Sequence, residues 1–320
     1  MNDRQFDCVC AGIVVADHVC DPIDHLPVAG ELVTSDRLHL TIGGCASNIA
    51  VDLATLGLRS AIVGRVGSDV FGRYVRDCLG QAGVICDHLV ESPSQQTSGT
   101  LVVNVRGEDR RFIHTAGANA EFSGDEVTED LLRQCRVLYL GGYCLSANPT
   151  AGRVAAMFKM ARAAGVVTVL DVVIPEAAEY WSRLRPVLPH TDIFLPNNDE
   201  AQIITGLDNP FDQAESFRAA GAKTVVITCG SDGAVLAADG TRLKAGVDQV
   251  DFVDGTGSGD AFVAGFIFGL LNDCGMRECM RLGSALGASC VRGAGATTGV
   301  FSVDELRAFV AANSLMIETV

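Results

Sequence analysis

Positive charge is scarce in this chain. Its 24 Lys and Arg stand against 39 Asp and Glu, for a formal net charge of −15. That balance argues against nucleic acid as a partner, because no basic surface offsets phosphate repulsion. The one basic cluster, RGEDRR from Arg106 to Arg111, has acids in its middle and reads as a hairpin tip. Aromatic residues are also few, and the apolar content is mostly Val, Ala, Leu and Ile, which suits buried parallel strands covered by helices. Long apolar runs are missing: the longest, Ala261 to Leu271, falls well short of the roughly 20 residues that span a bilayer. The start, MNDRQFDCVC, has no signal-peptide pattern, so a cytoplasmic protein without a membrane anchor is expected. No CxxC pair or zinc-ligand spacing occurs among the twelve cysteines, which read as small hydrophobes kept reduced. Cys8 and Cys10, on a candidate strand, are expected to face opposite sides of a sheet.

What is present is a regular alternation. Short apolar runs begin at Phe6, Ser60, Arg136, Val166, Thr191 and Lys223, with helical patterns such as VFGRYVRDCLGQAG from Val70 and TAGRVAAMFKMARAAG from Thr150 between them. Strand and helix in turn predict an α/β fold with a doubly wound, mostly parallel sheet, whose ligands gather at the C-terminal strand ends. No linker divides the 320 residues, so one domain is expected. Two segments differ. RLHLTI (Arg37 to Ile42) alternates strictly, and Ser98 to Thr115 reads as a β-hairpin about a polar turn. Together they predict a small one-sided sheet, from about 14–42 and 97–116, that covers a site, meets another copy, or simply extends the fold.

The stretch GTGSGDAF, Gly255 to Phe262, carries the chemistry. Glycines ahead of a helix let backbone N–H groups converge on an anion. The stretch is neither a Walker A loop nor a dinucleotide fingerprint, so an NAD-binding oxidoreductase is not indicated. Its carboxylate would repel a passively bound phosphate. Asp260 makes sense as a general base that takes a proton from a hydroxyl, while amides across Gly257, Ser258 and Gly259 stabilise a transferring phosphoryl group. It also fits a helix-start residue matched to the helix dipole. Gly43 and Gly44 end the alternating strand, and a helix is expected from about Ser47 to a cap at Gly57, with Asn48 in its first turn. Asn48 suits either hydroxyl binding or local backbone satisfaction. Asp17, read as ending the first strand, suits vicinal hydroxyls or a turn.

Taken together, these stretches resemble the ribokinase-like (PfkB) carbohydrate kinase family. The resemblance rests on GGCASNIAVDLATLG (from Gly43), LPNNDEAQIITG (Leu195 to Gly206), VVITCGSDGAVL (Val225 to Leu236) and DGTGSGDAFVAGFIFGLL (Asp254 to Leu271), in the family's order over nearly the whole chain; HTAGAN from His114 resembles the return from lid to core. It implies an ATP-dependent kinase of a small sugar or sugar-like substrate. By the resemblance, Asp260 is the base, and Gly257, Ser258 and Gly259 form the anion hole. Asp17, Gly43, Gly44 and Asn48 meet the sugar hydroxyls. Asn197 and Glu200 organise Mg²⁺ and phosphates. Thr228, Gly230 and Gly233 form the nucleotide loop, with Ser284 near the adenine. Asp254 and Thr256 match positions near a monovalent-cation site, implying K⁺ as a further cation. The small sheet becomes a lid and a possible dimer surface. A nucleoside kinase, a sugar-phosphate kinase using Arg106, Arg110 or Arg111, and a catalytically silent nucleotide-binding regulator are the alternatives. Departures from the family pattern are Gly255 and Ser258 in the loop, Cys45 where ribokinases carry Lys, Ser284 where a larger polar residue is common, and no acid at Gly141–Gly142.

Overall fold

The computed structural model describes residues 4–108, 110–175 and 178–320. Its strands are β1 (Phe6–Gly12), β2 (Val15–Cys20), β3 (Leu38–Gly43), β4 (Ser60–Gly67), β5 (Ile85–Ser92), β6 (Gly99–Val103), β7 (Arg111–Thr115), β8 (Cys135–Tyr143), β9 (Val167–Val172), β10 (Ile193–Phe194), β11 (Thr224–Thr228), β12 (Ala234–Ala238), β13 (Thr241–Ala245) and β14 (Ile317–Thr319). A ten-stranded sheet runs β14-β13-β12-β11-β10-β9-β8-β1-β4-β5. From β5 to β11 the pairs are parallel, and β12, β13 and β14 close one edge antiparallel.

Two hydrophobic layers cover this sheet, as expected of a doubly wound fold. One layer holds Cys8 and Cys10 with helices Cys45–Thr55, Ser258–Leu271 and Met276–Cys290. The other holds Val9 and Ala11 with helices Ala151–Ala163 and Pro210–Ala219. The expectation for the two cysteines is thereby corrected: side chains alternate with period two, so Cys8 and Cys10 share a face, with their Sγ atoms 3.7 Å apart.

The second sheet is four-stranded, in the order β3-β2-β6-β7. Asp17 belongs to it and does not end the first strand. The chain leaves β1 at Gly12, turns a corner at Ile13–Val14 and enters β2, so Asp17 sits mid-strand opposite Thr41 and Thr100. Asn119 holds that corner from the far side: its Oδ1 accepts from the Val14 N–H (3.2 Å) and its Nδ2 donates to the Val14 carbonyl (2.9 Å). Register gives the small sheet two unlike faces. Thr41, Asp17, Thr100 and His114 form a polar row across it, and Leu40, His18, Leu101 and Ile113 form an apolar row on the reverse. The polar tip of the β6–β7 hairpin is bound internally by Arg111 to Glu108; Asp109 lies outside the described residues. Among the described residues no helix is long and apolar enough to cross a membrane.

Candidate active site

The parallel strands end along one edge of the large sheet, and helices begin there. Helix Cys45–Thr55 starts two residues earlier than expected, because Gly44, at φ 90°, is itself the N-cap. Gly43 leaves room for a neighbour: a Cβ at that position would lie 1.9 Å from Asp17 Oδ2. Any side chain at residue 43 would therefore displace the carboxylate. Asp17 is largely shielded, and burial pushes its carboxyl above the usual range, against hydrogen bonding from Thr100 and the nearby His18.

Helix Ser258–Leu271 starts after Gly257, which takes φ 79° and passes so close to Ala296 that a Cβ would sit 2.3 Å from its carbonyl oxygen. Only glycine fits that turn. No side chain caps the helix. The Ser258 N–H and hydroxyl both turn back to the Gly255 carbonyl, at 3.3 and 3.0 Å. Gly259 faces open space, and Asp260 sits in the first turn. The helix start is thus uncapped and open, which is the geometry that receives an anion.

Asn48 is 5% exposed, and its Nδ2 donates to Asp260 Oδ2 at 2.8 Å, joining the two glycine-rich stretches. Burial raises the Asp260 carboxyl above its usual range, while Asn48 and the Cys45 thiol favour its charged form. Cys45 Sγ and oxygens of Asp171 and Asp260 all lie within 4.8 Å of one another. Asp171, near the end of β9, accepts from the Tyr139 hydroxyl of adjoining β8 at 2.9 Å. Burial, then the Glu200 and Asp260 charges, push the Asp171 carboxyl well up. Burial, then Asp260 and Asp171, do the same to the Cys45 thiol.

Asn197 and Glu200 form a capping box at helix Asn198–Thr205: Asn197 Oδ1 accepts from the Glu200 N–H (2.9 Å), and Glu200 Oε2 accepts from the Asn197 N–H (3.0 Å). Burial lifts the Glu200 carboxyl to about 7, opposed by the Asn197 and Ile174 backbone donors and helped by the charges of Asp260 and Asp199. These crowded oxygens are the donor type that Mg²⁺ takes. Thr228 ends β11 and bridges to Asn197, so the two candidate nucleotide segments are neighbours. Gly230 opens a short turn that Gly233 closes, through the Cys229 N–H to the Gly233 carbonyl at 2.7 Å. Ser284 is half-buried on helix Met276–Cys290, which runs beneath Ser258.

Asp254 and Thr256 are tied together and to the small sheet. Asp254 Oδ1 accepts from the Thr256 N–H (3.0 Å) and hydroxyl (2.8 Å), and Oδ2 accepts from the Gly295 N–H (3.0 Å). The Arg110 guanidinium donates to Asp254 at 3.1 Å and also to the Thr256 hydroxyl. Burial works against ionisation of Asp254, but these donors together hold its carboxyl below the usual range. Arg106 pairs with Asp24 at 3.0 Å. Each hairpin arginine therefore has an acidic partner, in keeping with solvated or structural charges.

The family model for pfkB family carbohydrate kinases matches residues 5–302. The chain belongs to the pfkB family of carbohydrate kinases. It is similar to the ribokinase of Haemophilus influenzae (29% identical, 93% of this chain and 96% of that protein) and to the ATP-dependent 6-phosphofructokinase of Thermoanaerobacterium thermosaccharolyticum (26%, 96% and 94%). It is also similar to the 5-dehydro-2-deoxygluconokinase of Clostridium perfringens (25%, 96% and 93%). Arabidopsis thaliana ribokinase, solved with ribose and ATP, superposes at TM-score 0.84 with 24% identity (95% of this chain, 98% of that one). An Escherichia coli structure in complex with ATP and Mg²⁺ gives 0.83 with 21% identity (97% and 100%). The fold is thus ribokinase-like, and kinases of this family use ATP and Mg²⁺.

Asp171 and Tyr139 escaped the sequence reading. A lone carboxylate inside the apolar run VVTVLDVVI was the available signal, since an acid at the end of a buried strand needs a partner or a function. Nothing in the sequence around Tyr139 separated it from an ordinary core aromatic.

Proposed function

We propose that this pfkB-family kinase transfers the γ-phosphoryl group of ATP to a hydroxyl of a small sugar or sugar-like acceptor, with Asp260 as general base. The observation that carries the reading is the 2.8 Å bond from Asn48 to Asp260, because it sets a sugar-side residue and a carboxylate side by side at an uncapped helix start. In the step, Asp260 takes the acceptor hydroxyl proton, the oxygen forms a bond to the γ-phosphorus, and the γ-phosphorus–bridging oxygen bond breaks, its electron pair leaving with ADP. Amides at Gly257 and Gly259 steady the equatorial oxygens. Glu200, beside Asn197, would hold Mg²⁺ through water; the bound ion supplies positive charge against the phosphates. Thr228, Gly230 and Gly233 line the nucleotide side, Ser284 lies toward the adenine, and K⁺ near Asp254 and Thr256 is a dependence to measure. Asp17, given room by Gly43, meets acceptor hydroxyls beside the helix cap at Gly44.

The polar row of the small sheet suits a lid over the acceptor, anchored at the loop by Arg110. Its reverse face exposes Leu38 (81%), Ile113 (67%) and Leu101 (43%), which supports pairing with a second copy. All twelve cysteines are free, in keeping with a reducing cytoplasm. A nucleoside acceptor is the second reading, favoured by Phe112, which is 60% exposed and lies two residues from His114 on the face of the polar row. The test is ADP release by the purified chain with Mg²⁺-ATP, with and without a panel of sugars and nucleosides. Acceptor-stimulated turnover supports the kinase; nucleotide binding without such turnover returns the silent regulator.

A further inference from the structure

Asp52 sits one turn beyond Asn48 on helix Cys45–Thr55. It is fully buried, and neither of its carboxyl oxygens has a hydrogen-bond partner. Asn48 Oδ1 is buried and unpartnered as well. Residues four apart share one face of a helix, and helical side chains lean toward the N-terminus, so Asp52 leans back over Asn48. As a carboxylate, Asp52 would set two acceptors beside a third with no donor among them. One proton on Asp52 turns that conflict into a donor–acceptor pair. The groups packed around this helix have other partners. Cys290, on helix Met276–Cys290, turns its thiol to the Thr256 and Ala296 carbonyls (3.3 and 3.2 Å). Cys8 and Cys10 on β1 meet one another, and the Tyr139 hydroxyl of β8 donates to Asp171. Asp260, on helix Ser258–Leu271, stands on the other side of the amide. Burial, then the Asp260 charge, push the Asp52 carboxyl well above its usual range.

The Asn48 amide has one donor end and one acceptor end. As it stands, Nδ2 donates to Asp260 Oδ2 at 2.8 Å, which suits a charged Asp260. Turned over, it would present Oδ1 to Asp260 and suit a protonated Asp260 with an ionised Asp52. Which carboxyl holds the proton and which way the amide faces are therefore one choice. Resting on the kinase reading above, we infer that Asp52 is a positioning residue for phosphoryl transfer: its protonated carboxyl donates to Asn48 Oδ1 and holds the amide with Nδ2 toward Asp260, so that the base stays charged.

Two measurements on the full chain test this. The infrared difference spectrum between wild type and Asp52→Asn at neutral pH should show the C=O stretch of a protonated carboxyl. The second is the pH profile of kcat/KM by coupled ADP release with Mg²⁺-ATP, using whichever of ribose, fructose, gluconate and adenosine gives most turnover. Asp52→Leu keeps the shape and removes the O–H. It should move the acid limb to higher pH and lower kcat/KM near neutrality by about fivefold. Asp52→Asn, whose amide still donates, should keep the wild-type midpoint. In the Asn48→Ala background, Asp52→Leu should cost less than about twofold more, because the amide it acts through is gone. A midpoint does not depend on the fraction of enzyme folded, so partial misfolding cannot imitate the shift. A missing carboxyl band, an unmoved midpoint in Asp52→Leu, or a full effect of that variant without Asn48 overturns the inference while leaving the kinase intact. Absence of acceptor-stimulated ADP release in the wild-type chain overturns the kinase reading and the positioning role with it.

Discussion

Asn48 donates to Asp260 across 212 residues of sequence, and the bond is 2.8 Å long. It favours the charged form of the carboxylate, the form a base requires.

Replacement of Asp260 by Asn keeps the shape and removes the proton acceptor. The kcat should fall by about 10³-fold, with the ATP dissociation constant changed less than about threefold. Calorimetric titration of the inactive variant with ATP checks this, and parallel loss of binding would refute the base assignment.

Asn48→Ala removes a donor that stabilises ionised Asp260. With burial then less opposed, the Asp260 pKa rises further. The base is active when deprotonated, so activity is lost as pH falls through that pKa. The acid limb of the kcat/KM profile should therefore move to higher pH, with about a tenfold loss near neutrality. A profile that keeps its midpoint would show that Asn48 acts only as scaffold.

Asp17 sits on the small sheet, apart from the nucleotide segments. Asp17→Ala should raise the acceptor KM by about 10- to 100-fold and leave the ATP KM nearly unchanged. Initial-rate kinetics with each substrate varied decide it; the opposite split would remove Asp17 from the acceptor side.

Chelation offers a separate check. Excess EDTA should abolish turnover and Mg²⁺ should restore it, because the phosphate charges then face crowded carboxylates unaided. Turnover that persists in chelator would overturn the metal requirement.

Asp52 concerns stability. It is fully buried on helix Cys45–Thr55, and neither carboxylate oxygen has a partner. Burial, then the charge of Asp260, raise its pKa well above the usual value. The folded state thus binds this proton more tightly than the unfolded chain. Its contribution is fully present below the unfolded pKa, about 3.9, and is lost as pH climbs toward the folded value. Asp52→Asn should raise the Tm by a few degrees at pH 8 and by less at pH 5, measured by calorimetry. An equal shift at both values would refute the linkage.

Much of the architecture was legible because its signals are local. The apolar runs that became β1, β4, β8, β9 and β11 are short and bounded by turns, and a buried parallel strand needs little else. TDIFLPN yielded only the two residues of β10, since the capping box at Asn197 claims the following segment for a helix. Gly43 and Gly44 marked the helix start early, but its first residue moved to Cys45 because Gly44 itself takes the cap position.

The sequence by itself determined the α/β class, the glycine-bounded helix starts and the carboxylate placed just inside one of them, because helix caps, strand period and positive-φ turns are decided by residues next to one another. Only the tertiary structure decided which groups would meet. The corner at Val14 carried Asp17 into the second sheet, and adjoining β8 and β9 set Tyr139 against Asp171. Packing of the helix from Cys45 onto the one from Ser258 brought Asn48 and Cys45 to Asp260. Contacts between residues 32 positions apart, as for Tyr139 and Asp171, or 212 apart, as for Asn48 and Asp260, follow from how strands pair and layers stack, and no local pattern of side chains encodes that geometry.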